Sequence, residues 1–168
     1  VMSWRGSAGG IKASRHGHDV IMTPLDYCYL NFYQANAEFQ PAAMPNSLVT
    51  LHKVYGFNPS AGISSERQRA HILGAQCNLW TEYINTPEMA EYMLLPRLCA
   101  MAEVLWTPET MRNWEDFRGR VSHHCVRLKA NDYKVGSGSF QPWVTYSKDS
   151  EGRRMATLHW EVEGTRIY

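Results

Sequence analysis

Short apolar runs alternating with helical patterns set the rhythm of the first 130 residues. Val1-Met2-Ser3-Trp4 reads as a strand entering a turn at Arg5-Gly6. Gly9-Gly10 comes next, then a helical piece from Ile11 to His16, closed by Gly17 at the position after the cap, where a left-handed residue is favoured. Asp19-Val20-Ile21-Met22-Thr23-Pro24 is a buried-type strand stopped by proline. Strand, helix and strand in so short a span form a βαβ unit, which predicts that the two strands run parallel. Leu25 to Tyr33 is an aromatic-rich loop or short strand at the C-terminal end of the second strand.

Residues 34 to 47 read as loop, punctuated by Pro41, Pro45 and Asn46. Leu48, Leu51, Val54 and Tyr55 recur near helical spacing and predict a helix over Ser47 to Tyr55. A turn at Phe57 to Gly62 and a polar helical turn at Glu66 to Ala70 lead into a strand over 72 to 80. Its end carries Trp80 and Glu82. Thr86-Pro87 then signals a helix start, because proline at the first helical position gives up only a donor that would be orphaned anyway. The pattern predicts one long helix from Glu88 to Trp106, kinked at Pro96. Thr107 is predicted to cap the next element, with Pro108 at its first position, and Asn113 to Lys129 forms a second long helix.

The pattern changes after Ala130. Residues 131 to 139 are polar and glycine-bearing and read as a linker. Trp143 to Tyr146 and Met155 to Val162 alternate as strands around a hairpin turn at Asp149 to Gly152, and Arg166-Ile167-Tyr168 begins a third strand. Three strands make a poor independent domain, so this tail reads as the opening of a small β-sandwich. The first 130 residues hold about three βα units, whereas a closed (β/α)8 barrel has eight and usually about 250 residues. The expectation is therefore a piece cut at both ends, of α/β class: residues 1–130 from a barrel, 131–139 as linker, and 140–168 as an incomplete sandwich.

Composition narrows the function. A formal net charge of +1 supplies no electrostatic argument for nucleic acid or a membrane surface, and no apolar run approaches a membrane-spanning length. The four cysteines, Cys28, Cys77, Cys99 and Cys125, contain no C-x-x-C pair; their even count permits disulfides but nothing forces them, and most read as buried thiols. His16 and His18 flank a helix end without a third ligand nearby, which speaks against a metal site. Glu103 and Arg97 stand amid apolar residues and read as a structural ion pair or helix-end contact. Six tryptophans and nine tyrosines suit sugar binding as well as a large core. The pair Trp80 and Glu82 sharpens that choice: sugar C–H faces stack on an indole, and sugar hydroxyls donate to a carboxylate.

Four ordered blocks carry a family resemblance: Val1-Met-Ser-Trp-Arg-Gly6, Asp19 to Pro24 with Tyr29-Leu30-Asn31, Leu73-Gly-Ala-Gln-x-Asn-Leu-Trp-Thr-Glu82, and Leu95-Pro-Arg-x-x-Ala-x-Ala-Glu-Val-x-Trp-Thr-Pro108. Over about residues 1 to 120 the chain resembles the last third of the catalytic barrel of glycoside hydrolase family 20, the β-N-acetylhexosaminidases. The tail resembles the small sandwich that lies after the barrel in bacterial members. The resemblance implies an exo-acting glycosidase, with no metal or organic cofactor, acting outside the cytoplasm in the periplasm or as a secreted protein. Its substrate would be a glycan ending in β-linked N-acetylglucosamine or N-acetylgalactosamine. The family retains configuration by substrate-assisted catalysis, in which the sugar's acetamido oxygen attacks the anomeric carbon. An adjacent Asp-Glu pair steers that group and protonates the leaving oxygen, and this sequence contains no Asp-Glu dipeptide.

Three positions carry over directly from the resemblance. Tyr29 matches the tyrosine that holds the acetamido oxygen, Trp80 the tryptophan lining the sugar pocket, and Glu82 the carboxylate accepting from the outer hydroxyls. Asn31 stands where the family usually has aspartate, so it offers a neutral and weaker partner. Trp4 reads as a packing residue at a strand end. The expectation is a hexosaminidase fragment that is inactive alone. The alternative is a non-catalytic carbohydrate-binding protein of the same descent. Open strand edges would also favour self-association of the fragment.

Overall fold

The computed structural model describes residues 1–136 and 143–159. Three parallel strands form the main sheet: β1 (Met2–Ser3), β2 (Val20–Met22) and β5 (Ile72–Ala75), in the order β1-β2-β5. The predicted parallel βαβ unit is present, with α1 (Ala8–Arg15) as its crossover. That helix begins three residues before the predicted Ile11. Gly9 and Gly10 lie inside it because α1 presses on β2: a Cβ at Gly10 would sit 2.8 Å from the Met22 sulfur and 2.9 Å from a Val20 methyl. Ser3 Oγ accepts from the Gly10 amide at 2.9 Å, tying the same point to β1. The helix ends as expected, with Gly17 at φ +79°.

Between β2 and β5 the chain builds a second, smaller layer. One helical turn, α2 (Leu25–Cys28), leads to β3 (Phe32–Tyr33), which pairs in parallel with β4 (Met44–Leu48). The predicted helix from Ser47 therefore starts later, as α3 (Leu51–Tyr55). Residues 44 to 48 are drawn into strand pairing, and Thr50 Oγ1 caps α3 by accepting from the Lys53 amide at 3.1 Å. The polar turn α4 (Glu66–Arg69) precedes β5 as anticipated. β5 itself stops at Ala75, but the chain beyond it meets Tyr29 in a single parallel bridge at Asn78.

The predicted kinked helix is two helices, α5 (Pro87–Leu94) and α6 (Arg97–Trp106), separated by Leu95-Pro96. Thr86 caps the first of them, accepting from the Met89 amide at 3.2 Å. Pro96 has no N–H to return to Tyr92, and that carbonyl is taken by Gln34 Nε2 at 3.0 Å. The Leu95 carbonyl accepts from the Gly136 amide at 2.9 Å. Outside partners replace the interrupted ladder. Thr107 is the C-terminal cap of α6 and caps no later helix; a 3-10 turn (Glu109–Met111) comes after it. Asn113 does cap α7 (Trp114–Ala130), accepting from the Asp116 amide at 3.0 Å.

α7 buries Phe117, Val121 and Cys125, spaced four apart on one face, against a core that includes Val20, Met22, Leu51, Val54, Ala100 and Val104. Tyr55 stacks on Phe117 with centroids 4.6 Å apart. Glu103 is ion-paired as expected, with Arg120 at 2.6 Å, and Arg120 also holds Asp116. Arg97 has no ion-pair partner among the described residues and makes a helix-end contact instead. It is fully buried and gives its four terminal N–H groups to the carbonyls of Phe32, Val49, Leu30 and Met93, at 3.0, 2.9, 2.6 and 2.5 Å.

Trp143–Lys148 (β6) and Arg154–His159 (β7) form the predicted antiparallel hairpin, closed by Asp149 accepting from the amides of Glu151 and Arg153. The third tail strand, at 166 to 168, lies outside the described residues. Among those described, no helix is long and apolar enough to cross a membrane. The cysteines are free thiols. Burial pushes Cys77 and Cys125 up to about 11, and Cys28 further.

The packing makes two outcomes measurable. Arg97→Met deprives four carbonyls of their donor, three in buried bonds, and should lower stability by roughly 3 kcal/mol or more, read as a fall in the urea midpoint. An unchanged midpoint would refute that role. Because burial raises the thiol pKa values, the thiolate fraction stays small to higher pH than in an unfolded chain. Alkylation of Cys77 and Cys125 by iodoacetamide should thus keep rising by about tenfold per pH unit past 9 in the native protein. In urea it should level off near a pKa of about 8.5, as followed cysteine by cysteine in a mass spectrometer.

Candidate functional site

The C-terminal ends of β1, β2 and β5 open on one side into a groove of about 980 Å³. Each element contributes by register. β1 delivers Met2 and Trp4, β2 and α2 deliver Thr23, Leu25 and Asp26, and the chain into β3 delivers Tyr29, Asn31 and Phe32. Met44, Pro45 and Ser47 of β4 form a further wall. From β5 onward every second residue lines the groove: Gln76, Asn78, Trp80 and Glu82. The intervening Cys77 and Leu79 pack against the hydrophobic core. This is the two-residue period of extended chain, carried past the last paired residue of β5.

All four residues singled out from the sequence, Tyr29, Asn31, Trp80 and Glu82, line this one groove. The bridge between Tyr29 and Asn78 sets their spacing: the Leu30 amide donates to the Asn78 carbonyl, and the Asn78 amide to the Cys28 carbonyl, both at 2.8 Å. Tyr29 and Trp80 consequently face each other as a tilted ring pair, with centroids 6.5 Å apart and planes at 43°. Trp80 is 53% exposed, so its indole offers a face to solvent or ligand. Glu82 is exposed as well. Asn31 differs from both: it is 4% exposed, and its side-chain oxygen is buried without a hydrogen-bond partner.

Sequence reasoning missed several lining residues. Trp4, read as packing, is 46% exposed on the groove wall, with the Arg5 guanidinium 4.6 Å from its ring centre. Its carbonyl accepts from the amide of Leu25, the neighbour of the lining residue Asp26, at 2.9 Å. Gln76 and Asn78 were not singled out either, although their alternation with Trp80 and Glu82 is visible in the sequence. The only charged lining residues are Asp26 and Glu82, so the groove wall built by the described residues is acidic. Aromatic faces beside acceptors suit a neutral polyhydroxylated ligand. Among the described residues no group of three or more His, Cys, Asp or Glu side chains could hold a metal ion.

The chain is 43% identical over 129 residues to a beta-hexosaminidase of Porphyromonas gingivalis, covering 76% of this chain and 16% of that one. It is 26% identical over 176 residues to the N,N'-diacetylchitobiase of Vibrio harveyi, covering 95% and 17%. The crystal structure of the Vibrio harveyi exo beta-N-acetylglucosaminidase in complex with N-acetylglucosamine superposes with a TM-score of 0.74 at 32% identity, over 80% of this chain and 21% of that one. A Streptomyces coelicolor beta-N-acetylhexosaminidase superposes with a TM-score of 0.73 at 24% identity, a likeness of fold, over 85% and 30%. The chain spans less than a quarter of the length of the first curated relatives it matches. Residues 1–109 match the family model for the glycosyl hydrolase family 20 catalytic domain, and the chain belongs to that family.

Proposed function

We propose that this chain is the closing part of an exo-β-N-acetylhexosaminidase barrel, whose groove holds the terminal N-acetylhexosamine of a glycan. The observation that carries the reading is the convergence of Tyr29, Trp80 and Glu82 on one groove at strand C-terminal ends. In this account residues 1–130 supply the last βα units of a (β/α)8 barrel, and residues 140–168 begin a β-sandwich. Trp80 stacks on the sugar ring, and Glu82 accepts from its outer hydroxyls. The Tyr29 hydroxyl donates to the acetamido oxygen, orienting it toward the anomeric carbon as internal nucleophile. Among the described residues neither Glu82 nor the Tyr29 hydroxyl has a hydrogen-bond partner, so both are available to a ligand.

The leaving oxygen needs a proton donor, and no Asp-Glu dipeptide is present to supply the family's acid. The 168-residue chain alone is therefore inactive in this reading. Asn31 favours a second reading, a sugar-binding protein without catalysis, since a neutral amide adds no negative charge beside a cationic transition state. The gene separates the two: an Asp-Glu pair encoded about a hundred residues upstream supports the enzyme, and its absence supports the binding protein. Both outer strands of the sheet, β1 and β5, have an unpaired edge among the described residues, which supports self-association of the isolated chain.

The purified chain should give no turnover of p-nitrophenyl N-acetylglucosaminide, yet should bind N-acetylglucosamine by NMR titration. Trp80→Ala and Glu82→Gln should each weaken that binding by roughly tenfold. Turnover by the chain would refute its inactivity, and wild-type affinity in both variants would refute the sugar site. Light scattering should report a mass above 19.3 kDa for the chain in solution. A monodisperse monomer would rule out self-association.

A further inference from the structure

The groove is also lined by a pair of side-chain amides to which the proposed mechanism assigns no task. Gln76 Nε2 donates to Asn78 Oδ1 at 2.9 Å. That bond fixes the orientation of the Asn78 amide: its oxygen is engaged, and its nitrogen retains two N–H donors. No protein acceptor takes them among the described residues. The backbone of Asn78 is held as firmly, since its amide and carbonyl are both bonded across to the segment bearing Tyr29. Asn78 is thus a donor of fixed position beside Tyr29.

Asn31 supplies the complement. It lies two residues beyond the bridge partner of Asn78, on the same groove, with a side-chain oxygen that is buried and unpartnered. A buried acceptor without a donor is costly, and a ligand hydroxyl that donates to it removes that cost. A hydroxyl is both donor and acceptor, so one such group can donate to Asn31 Oδ1 while accepting from Asn78 Nδ2.

We propose that Asn78 is a sugar-contacting residue and Gln76 its positioning residue, which together with Asn31 seat a single ring hydroxyl of the bound sugar. The inference rests on the sugar-site reading and adds to it a specificity determinant. Asn78 selects for a hydroxyl at that ring position against hydrogen, because a deoxy sugar leaves both Asn31 Oδ1 and Asn78 Nδ2 unpaired. Gln76 acts only through Asn78, by keeping the amide nitrogen toward the groove.

Asn78→Asp in the 168-residue chain tests this, because it is isosteric and still accepts from Gln76 but has no N–H to donate. Binding of N-acetylglucosamine and its 3-, 4- and 6-deoxy analogues is tracked by NMR, with the Trp80 indole as an independent reporter. For the wild-type chain, one deoxy analogue should bind at least about fivefold more weakly than the parent sugar. In Asn78→Asp the parent sugar should weaken by a similar factor and the discrimination against that analogue should vanish, while the Trp80 indole still shifts on saturation. Gln76→Ala should give a partial loss in the same direction. Wild-type affinity and discrimination in Asn78→Asp, with the Trp80 indole shifting normally, would overturn the role of Asn78 and leave the sugar site standing. A wild-type chain in which neither the Trp80 indole nor any other resonance responds to sugar would overturn both.

Discussion

A single buried cation ties the layers beneath the groove together. The Arg97 guanidinium has no carboxylate partner among the described residues. It binds carbonyl oxygens at the β3 approach (Leu30), in β3 (Phe32), before α3 (Val49) and in α5 (Met93). Burial pulls its pKa down to about 9, and four carbonyl dipoles oppose that by stabilising the charged form. A planar fork of fixed donors can reach four acceptors at once, which an ammonium with three donors cannot. Leu30 lies between Tyr29 and Asn31, so the cation clamps the backbone between two groove residues from below.

A comparable division of labour governs the strand that bears Trp80. Beyond Ala75 the chain is held by one bridge, yet the alternation persists: Gln76, Asn78, Trp80 and Glu82 face the groove, while Cys77 and Leu79 face the core. The apolar half of the segment anchors it, which frees the polar half for a ligand. The half-exposed tryptophans lining the groove, Trp4 and Trp80, are tolerable because the segments carrying them are bonded to their neighbours through the backbone.

How much of this was legible in the sequence depends on how local its cause was. The parallel βαβ unit, the helix start at Thr86-Pro87 and the hairpin turn at Asp149 are set by nearby residues, and they are found as expected. The failures have distant causes. Gly9-Gly10 reads as lying ahead of the helix until Met22 and Val20 arrive to require a side-chain-free helix face. The α5–α6 break resembles a kink until Gln34 and Gly136 supply the missing partners. β4 reads as loop because its partner, Phe32-Tyr33, is only two residues long. For the groove, Trp80 and Glu82 were legible from their own chemistry, and Tyr29 and Asn31 came from an ordered family resemblance, whereas Trp4 and the Gln76–Asn78 pair needed the register of neighbouring strands.

If Arg97 holds the groove-bearing backbone in place, amide hydrogen exchange on Arg97→Lys shows it most directly. The amides of Leu30, Met44 and Val49 bond to Asn78, Asn31 and Tyr33 across the clamped layers, whereas the Ile21 amide bonds to Val1 in the main sheet. The first three should lose protection by about tenfold or more while Ile21 changes little. Unchanged protection at Leu30, Met44 and Val49, or an equal loss at Ile21, would contradict the clamp.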